Sequence, residues 1–155
     1  MSTKDDPLDR REYEKRLRFE ILLSDISARF INLPASQVDD AIVDAQQKVC
    51  ECLDLDICSL WQLYPDGSGS IFLTHYYLSP GLPPLPNVWD IKASFPWALK
   101  KFLRGETLIL SRLADAPAEA ALDVENARLS GAKSIVSFPL STGGGPMFGV
   151  LNFDV

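Results

Sequence analysis

The sequence holds one histidine, three cysteines and fewer basic than acidic side chains, 15 against 21 in 155 residues. Each shortage excludes something. A nucleophile–histidine triad needs an imidazole base beside its nucleophile, and His75, between Thr74 and Tyr76 in a predicted strand, is the sole histidine. It reads as a structural or surface residue, since strand positions alternate between core and solvent. Cys50 and Cys52 lie two apart and cannot share one helix face. With Cys58 they fall short of a tetrahedral zinc site and read as reduced thiols acting as small apolar residues. The net charge of −6 disfavours nucleic-acid binding through a broad basic surface. No apolar run approaches the roughly 20 residues of a membrane helix. Met1 to Lys15 is charged throughout, with no apolar stretch of a secretory signal. Reduced cysteines without a signal place the expected location in the cytoplasm.

What is present is an ordinary globular balance, 46% hydrophobic and 23% charged. This excludes a disordered chain, a collagen-like repeat and a disulfide-stapled miniprotein. The length suits about one domain, which can bury roughly two-thirds of its unfolded surface.

Residues 1–12 read as a flexible charged tail and 13–155 as one domain. From Asp9 the pattern is helical. Phe19, Leu23, Ile26, Phe30 and Leu33 recur at spacings of four and three, with Leu17 and Ile21 in a flanking row. This predicts a long helix ending near Asn32, before Pro34. A second helix is expected from Ser36 to near Leu53, capped by Ser36 and Asp39 and buried along Val38, Ile42, Ala45, Val49 and Leu53. The period then changes to strand. Ile57 to Tyr64 and Ser70 to Leu78 flank Pro65-Asp66-Gly67-Ser68-Gly69, a turn signal, and predict an antiparallel hairpin. Ser79 to Pro86, with four prolines, is expected to be a stiff loop. Then come a helix over 96–103, a strand over 106–110, a helix over 117–129, and strands over 133–140 and 147–155. The order is α-α-β-β-α-β-α-β-β, and adjacent hairpins argue α+β. The last strand carries Phe148, Val150, Leu151 and Phe153, which need covering on both faces, so the chain is expected to be a piece of a longer one.

Several strings in this order resemble a GAF domain, closest to the GAF modules of bacterial sensor histidine kinases and of formate-hydrogenlyase-activator-type transcriptional regulators. They are Phe30-Ile31-Asn32-Leu33-Pro34-Ala35 between the first two helices, Cys58-Ser59-Leu60-Trp61-Gln62-Leu63 in the first strand, and Gly105-Glu106 entering the third. Asp115-Ala116-Pro117, Glu119-Ala120-Ala121 and Asp123 precede the fourth strand. Lys133-Ser134 and Phe138-Pro139-Leu140 mark that strand, and Phe148-Gly149-Val150-Leu151 the fifth. The likeness covers about Leu17 to Val155. It implies a central antiparallel sheet of five to six strands, profilin/PAS-like, with N-terminal helices on one face and short helices and loops on the other, where ligands bind. It also implies a sensory or regulatory role in a larger signalling protein, often dimeric through the first helix. The family's C-terminal helix is missing from the sequence.

Several chemistries find little support. Gly143-Gly144-Gly145 lacks the Lys-Ser/Thr of a phosphate loop and leads into a strand, so it reads as a hairpin turn. The chromophore-binding relatives carry a reactive cysteine in the second half of the domain, whereas all three cysteines here lie in the second helix or first strand. The residue set of the family's cyclic-nucleotide binders cannot be placed. No cofactor is expected.

The aromatic residues Trp61, Tyr77, Trp89, Phe95 and Trp97 fall on the first strands and around the third helix. In this architecture they are candidate walls of a small-molecule site, or else the second core of a domain without a ligand. Ser94, His75, Asp115 and Asn126 are the candidate polar anchors. Arg10 to Arg18 is too charged for a core, and Tyr13, Leu17 and Ile21 are the candidate seam against a second copy. The expected function is a non-enzymatic sensory module that binds an effector, dimerises, or both, with an output kinase or transcription-activation domain in the full-length protein. Two alternatives stand: a structural dimerisation module without a ligand, and an enzyme of related fold such as the free methionine sulfoxide reductases, which needs cysteines in the ligand-side loops.

Overall fold

The computed structural model describes residues 7–155. The expected charged tail therefore lies outside the described residues as far as position 6, and residues 7–12 already belong to a helix. The chain divides into two compact units, one ending at Asp54 and one spanning Leu55–Val155.

The first unit is two helices, α1 (Pro7–Ile31) and α2 (Val38–Leu53), joined through a single 3₁₀ turn at Ala35–Gln37. Proline at position 7 costs the helix nothing, because first-turn N–H groups have no helical acceptor. Along α1 the half-buried row is Phe19, Leu22, Ile26 and Phe30. Leu22 takes the place of the expected Leu23, which is exposed. Arg10–Glu14 and Arg16–Glu20 pair one turn apart at 3.2 Å, each supporting the helix by about 0.2–0.5 kcal/mol. Arg29 donates to Asp44 across the two helices. Lys48 holds the same carboxylate at 2.9 Å and is the chief cause that keeps its pKa below the ordinary value. Helix α2 starts at Val38, with Gln37 as N-cap and no side-chain capping bond, so the expected Ser36 cap is not formed. Its buried side chains are Ala41, Gln46 and Cys50, while Leu53 is exposed. The stripe is thus rotated from the expected one, because small Ala and Cys side chains occupy the most enclosed line. Asp54 ends the helix in the left-handed region, φ 56°, donating its N–H to the Cys50 carbonyl.

The second unit is one antiparallel sheet of six strands in the order β3-β2-β1-β6-β5-β4. The strands are β1 (Ile57–Leu63), β2 (Ser70–Leu78), β3 (Val88–Asp90), β4 (Leu108–Leu110), β5 (Ile135–Ser141) and β6 (Met147–Asp154). The β1–β2 turn is held locally: Asp66 Oδ1 accepts from the Ser68 N–H at 2.9 Å, and Ser68 Oγ from the Ser70 N–H at 3.1 Å. Between β3 and β4 lie α3 (Ile91–Ser94) and α4 (Pro96–Phe102), and between β4 and β5 lies α5 (Ala121–Leu129). Strand β3 and helix α3 were not anticipated, since three- and four-residue elements carry no readable period. The expected helix over 117–129 is a 3₁₀ turn at Ala118–Ala120 leading into α5.

Strand β6 sits at the centre, with β1 on one side and β5 on the other. Gly149 opposes Gln62 there, and a Cβ on it would lie 2.4 Å from the Trp61 carbonyl oxygen. The buried core of this unit gathers Trp61, Ile71 and Val150 from the sheet with Ile91, Ala98, Phe102, Leu113 and Ala127 from the helical side.

Candidate functional site

The sheet's pleat sets the site. Paired residues on neighbouring antiparallel strands share a face, so the pairs Ser59–Asn152 and Ser137–Asn152 put three polar side chains in a row on one face. Trp61 and Val150 pair one step to one side, and Asp154 pairs with Ile57 and Ile135 one step to the other. Above this row the short helices leave a cavity of about 110 Å³. Its floor is Ser59, Trp61, Ile71, Val150, Asn152 and Asp154 with Ile135, Ser137 and Leu108. Its roof is Ile91, Phe95, Ala98, Phe102 and Ala127, and Trp89, Leu85 and Pro86 close one side. The proline-rich loop thus supplies a wall, with its backbone stiffened by the fixed φ of its prolines.

The polar row carries two separate hydrogen-bonded runs. Trp61 Nε1–H donates to Ser59 Oγ at 2.9 Å. Ser137 Oγ–H donates to Asn152 Oδ1 at 2.5 Å, and Asn152 Nδ2–H donates to Asp154 Oδ1 at 2.8 Å. Asp154 is 5% exposed. Burial raises its pKa from the ordinary 3.8 to about 7, against the opposing pull of the Asn152 hydrogen bond. The cavity is therefore mostly apolar and aromatic, with one buried carboxyl at the end of a hydrogen-bonded row.

The roof is tied down by side chains of α5 and the turn before it. The Asp123 carboxylate accepts from the Trp97 and Ala98 N–H groups at 3.2 and 2.8 Å. It satisfies first-turn donors of α4 that have no helical partner. Its pKa is raised by burial, a shift that these two hydrogen bonds oppose. Asn126 Nδ2–H donates to the Ser94 carbonyl at 2.8 Å. Trp97 Nε1–H donates to Glu119 Oε1 at 3.1 Å, and the Lys101 ammonium lies 5.2 Å from the Trp97 ring centre.

Of the residues singled out in the sequence, Trp61, Trp89 and Phe95 come together around the cavity. Trp89 and Phe95 pack edge to face with centroids 5.1 Å apart. Trp97 lies outside the lining, bonded to Glu119. Ser94 contributes its carbonyl to Asn126, and both serve the joint between α3 and α5 rather than the cavity wall. Asp115 forms a two-pronged pair with Arg112, both bonds at 2.9 Å, in an exposed turn. His75 pairs with Leu60 and Tyr77 with Cys58, which places both on the sheet face opposite Ser59 and Trp61. The sequence reading missed Ser59, Ser137, Asn152 and Asp154. The usable signal was the alternation Asn152-Phe153-Asp154, polar at period two in a strand otherwise read as core.

Cys58 is buried in β1 and does not line the cavity, and neither do Cys50 and Cys52. Among the described residues no group of three or more His, Cys, Asp or Glu side chains is placed to hold a metal ion. Among the described residues no helix is long and apolar enough to cross a membrane.

No family model matches the chain, and no curated protein matches it in sequence. Solved structures do match it. The phycoerythrobilin-bound GAF domain of a cyanobacterial phytochrome aligns at TM-score 0.68 and 19% identity, over 87% of this chain and 79% of that one. The blue-light-absorbing form of the PixJ GAF domain of Thermosynechococcus elongatus aligns at TM-score 0.58 and 16% identity, over 79% and 73%. The free methionine-R-sulfoxide reductase of Neisseria meningitidis, solved with its substrate, aligns at TM-score 0.63 and 14% identity, over 99% and 77%. The chain has the GAF-domain fold: an α+β unit with one antiparallel six-stranded sheet.

Proposed function

We propose that this chain is a sensory module that binds a small-molecule effector in the cavity over the β1–β6 face, within a bacterial signal-transduction protein. The observation that carries the reading is the cavity itself, apolar and aromatic on its walls and polar along one row of its floor. That is the usual make-up of a small-ligand site. The GAF domains that align with it include phycoerythrobilin-bound and phycocyanobilin-bound forms, which supports a small-molecule guest. The cavity is far smaller than the roughly 300–1,000 Å³ of typical drug-sized sites, so the effector of the conformation described is compact. An effector transmits a signal only if it binds two packings of the roof unequally. The two ties of α5, Asp123 to α4 and Asn126 to α3, are the joints across which those packings differ.

In this reading the module is cytoplasmic and non-enzymatic, and an output kinase or transcription-activation domain receives its signal. It pairs with a second copy through α1, where Tyr13, Leu17 and Ile21 stand 67%, 43% and 53% exposed at spacings of four. The reductase reading needs a thiol at the cavity, and the three cysteines lie elsewhere.

The test is native mass spectrometry of the chain purified from a bacterial host, followed by thermal shift against amines, carboxylates, amino acids and nucleotides. A ligand present at 100 times its Kd adds about 2.7 kcal/mol. A retained small mass or a clear upward shift supports the reading. No retained mass and no shift across the panel favours a structural dimerisation module.

A further inference from the structure

Three hydrogen-bond protons of the cavity floor are spent within the protein. Trp61 gives its indole proton to Ser59, Ser137 gives its hydroxyl proton to Asn152, and Asn152 turns its amide toward Asp154. Ser130, also in the lining, gives its hydroxyl proton to the Ala127 carbonyl at 2.7 Å. Besides the Ser59 hydroxyl proton and the second Asn152 amide proton, the floor offers a guest acceptor capacity on a carboxyl with up to four lone-pair sites, of which Asn152 engages one oxygen. Among the described residues no Lys, Arg or His lines the cavity, and Asp154 is the one titratable side chain in its lining. A buried carboxylate without a counter-charge is costly, and either a proton or a cationic guest relieves that cost. Trp61, Trp89 and Phe95 in the lining suit a cation as well, which is attracted to the face of an aromatic ring.

We infer that the cavity selects a small organic cation, an amine of about four to six non-hydrogen atoms with its ammonium group on the Asp154 carboxylate and its apolar body against the aromatic wall. The size follows from scale, since an engineered apolar cavity of about 150 Å³ accepts benzene and this one is about 110 Å³. The inference rests on the cavity being the effector site and adds the chemistry of its guest. The raised pKa of Asp154 gives it a second signature. The carboxyl must lose its proton to receive a cation, so affinity rises as pH increases through about 7. A neutral carbonyl guest, accepting from the protonated acid, shows the opposite slope.

The experiment is isothermal titration of the chain with n-butylammonium, 1-butanol and butyrate, three probes of similar size and different charge, at pH 6 and pH 8. The indole N–H resonances of Trp61 and Trp89 report where each probe binds. The expected result is that n-butylammonium binds at least tenfold tighter than 1-butanol at pH 8, that its affinity rises severalfold from pH 6 to pH 8, and that Asp154→Asn abolishes the preference. Equal binding of 1-butanol, or a preference for butyrate, at shifted Trp61 and Trp89 resonances overturns the inference and leaves the cavity as a ligand site. Absence of binding by all three probes overturns the inference too, and the effector panel then decides the cavity reading on its own. The pH dependence of the unmutated chain decides the matter even where the variant folds poorly.

Discussion

The Asp123 carboxylate accepts the Ala98 N–H at 2.8 Å, so one helix of the roof is capped by a side chain of another. The bond is long-range in sequence, and it also reaches the Trp97 N–H. Asp123→Ala leaves two first-turn donors of α4 unpaired in a buried place and should cost about 1–3 kcal/mol. Asp123→Asn keeps one acceptor and should cost less. Urea denaturation at neutral pH measures both, and equal stabilities of wild type and Asp123→Ala would refute the capping role.

Asp154 makes stability depend on pH in a stated direction. Its folded pKa of about 7 stands above the ordinary 3.8. The unfolded chain therefore releases this proton first as pH rises. Stability is full below about pH 4, falls between 4 and 7, and levels off above, by at most about 4 kcal/mol. Asp154→Asn removes the charge that burial opposes. The variant should be more stable than wild type at pH 8 and show a flatter curve from pH 4 to pH 8 in thermal melts. A wild-type curve that rises over that window contradicts this account.

Gly149 is fixed by space rather than by φ. Its missing Cβ would stand 2.4 Å from the Trp61 carbonyl oxygen, a backbone atom that cannot swing aside. Gly149→Ala must push β6 away from β1 beside the cavity floor, and overpacking of this kind costs about 1–3 kcal/mol or more. Chemical denaturation should show that loss. A neutral substitution would mean that the two strands separate more readily than their pairing indicates.

The exposed row on α1 predicts a self-association that charge abolishes. Leu17→Glu combined with Ile21→Glu should convert a dimer to a monomer in light scattering, with the melting temperature of the Leu55–Val155 unit unchanged. An unaltered oligomeric state would remove α1 from the interface.

The hairpin and both long helices were legible because their signals are local. Pro65 to Gly69 specifies a turn, and α1 and α2 run long enough for a 3.6-residue period to stand out. Strand β3 and α3 were not, because Val88-Trp89-Asp90 acquires its extended form by pairing with Ser70 to Phe72 rather than from its own pattern. The aromatic part of the cavity was half legible. Trp61, Trp89 and Phe95 line one cavity, whereas His75 and Tyr77 lie on the other face of the sheet. A bulge between Leu60 and Trp61 shifts the β1–β2 register, and no local signal announces which face each half takes. The polar row was hidden for a related reason. Ser59, Ser137 and Asn152 lie far apart in sequence and meet only through the pairing of β6 with both neighbours.

The central claim is that a compact guest occupies the space between the β1–β6 floor and the roof, and the three tryptophans allow one spectrum to test it. Trp61 and Trp89 line the cavity, and Trp97 bonds to Glu119 outside it. In a ¹⁵N-labelled chain, titration with an effector identified by thermal shift should move the Trp61 and Trp89 indole N–H resonances and leave that of Trp97 nearly in place. Movement of Trp97 with Trp61 and Trp89 unchanged would contradict the account.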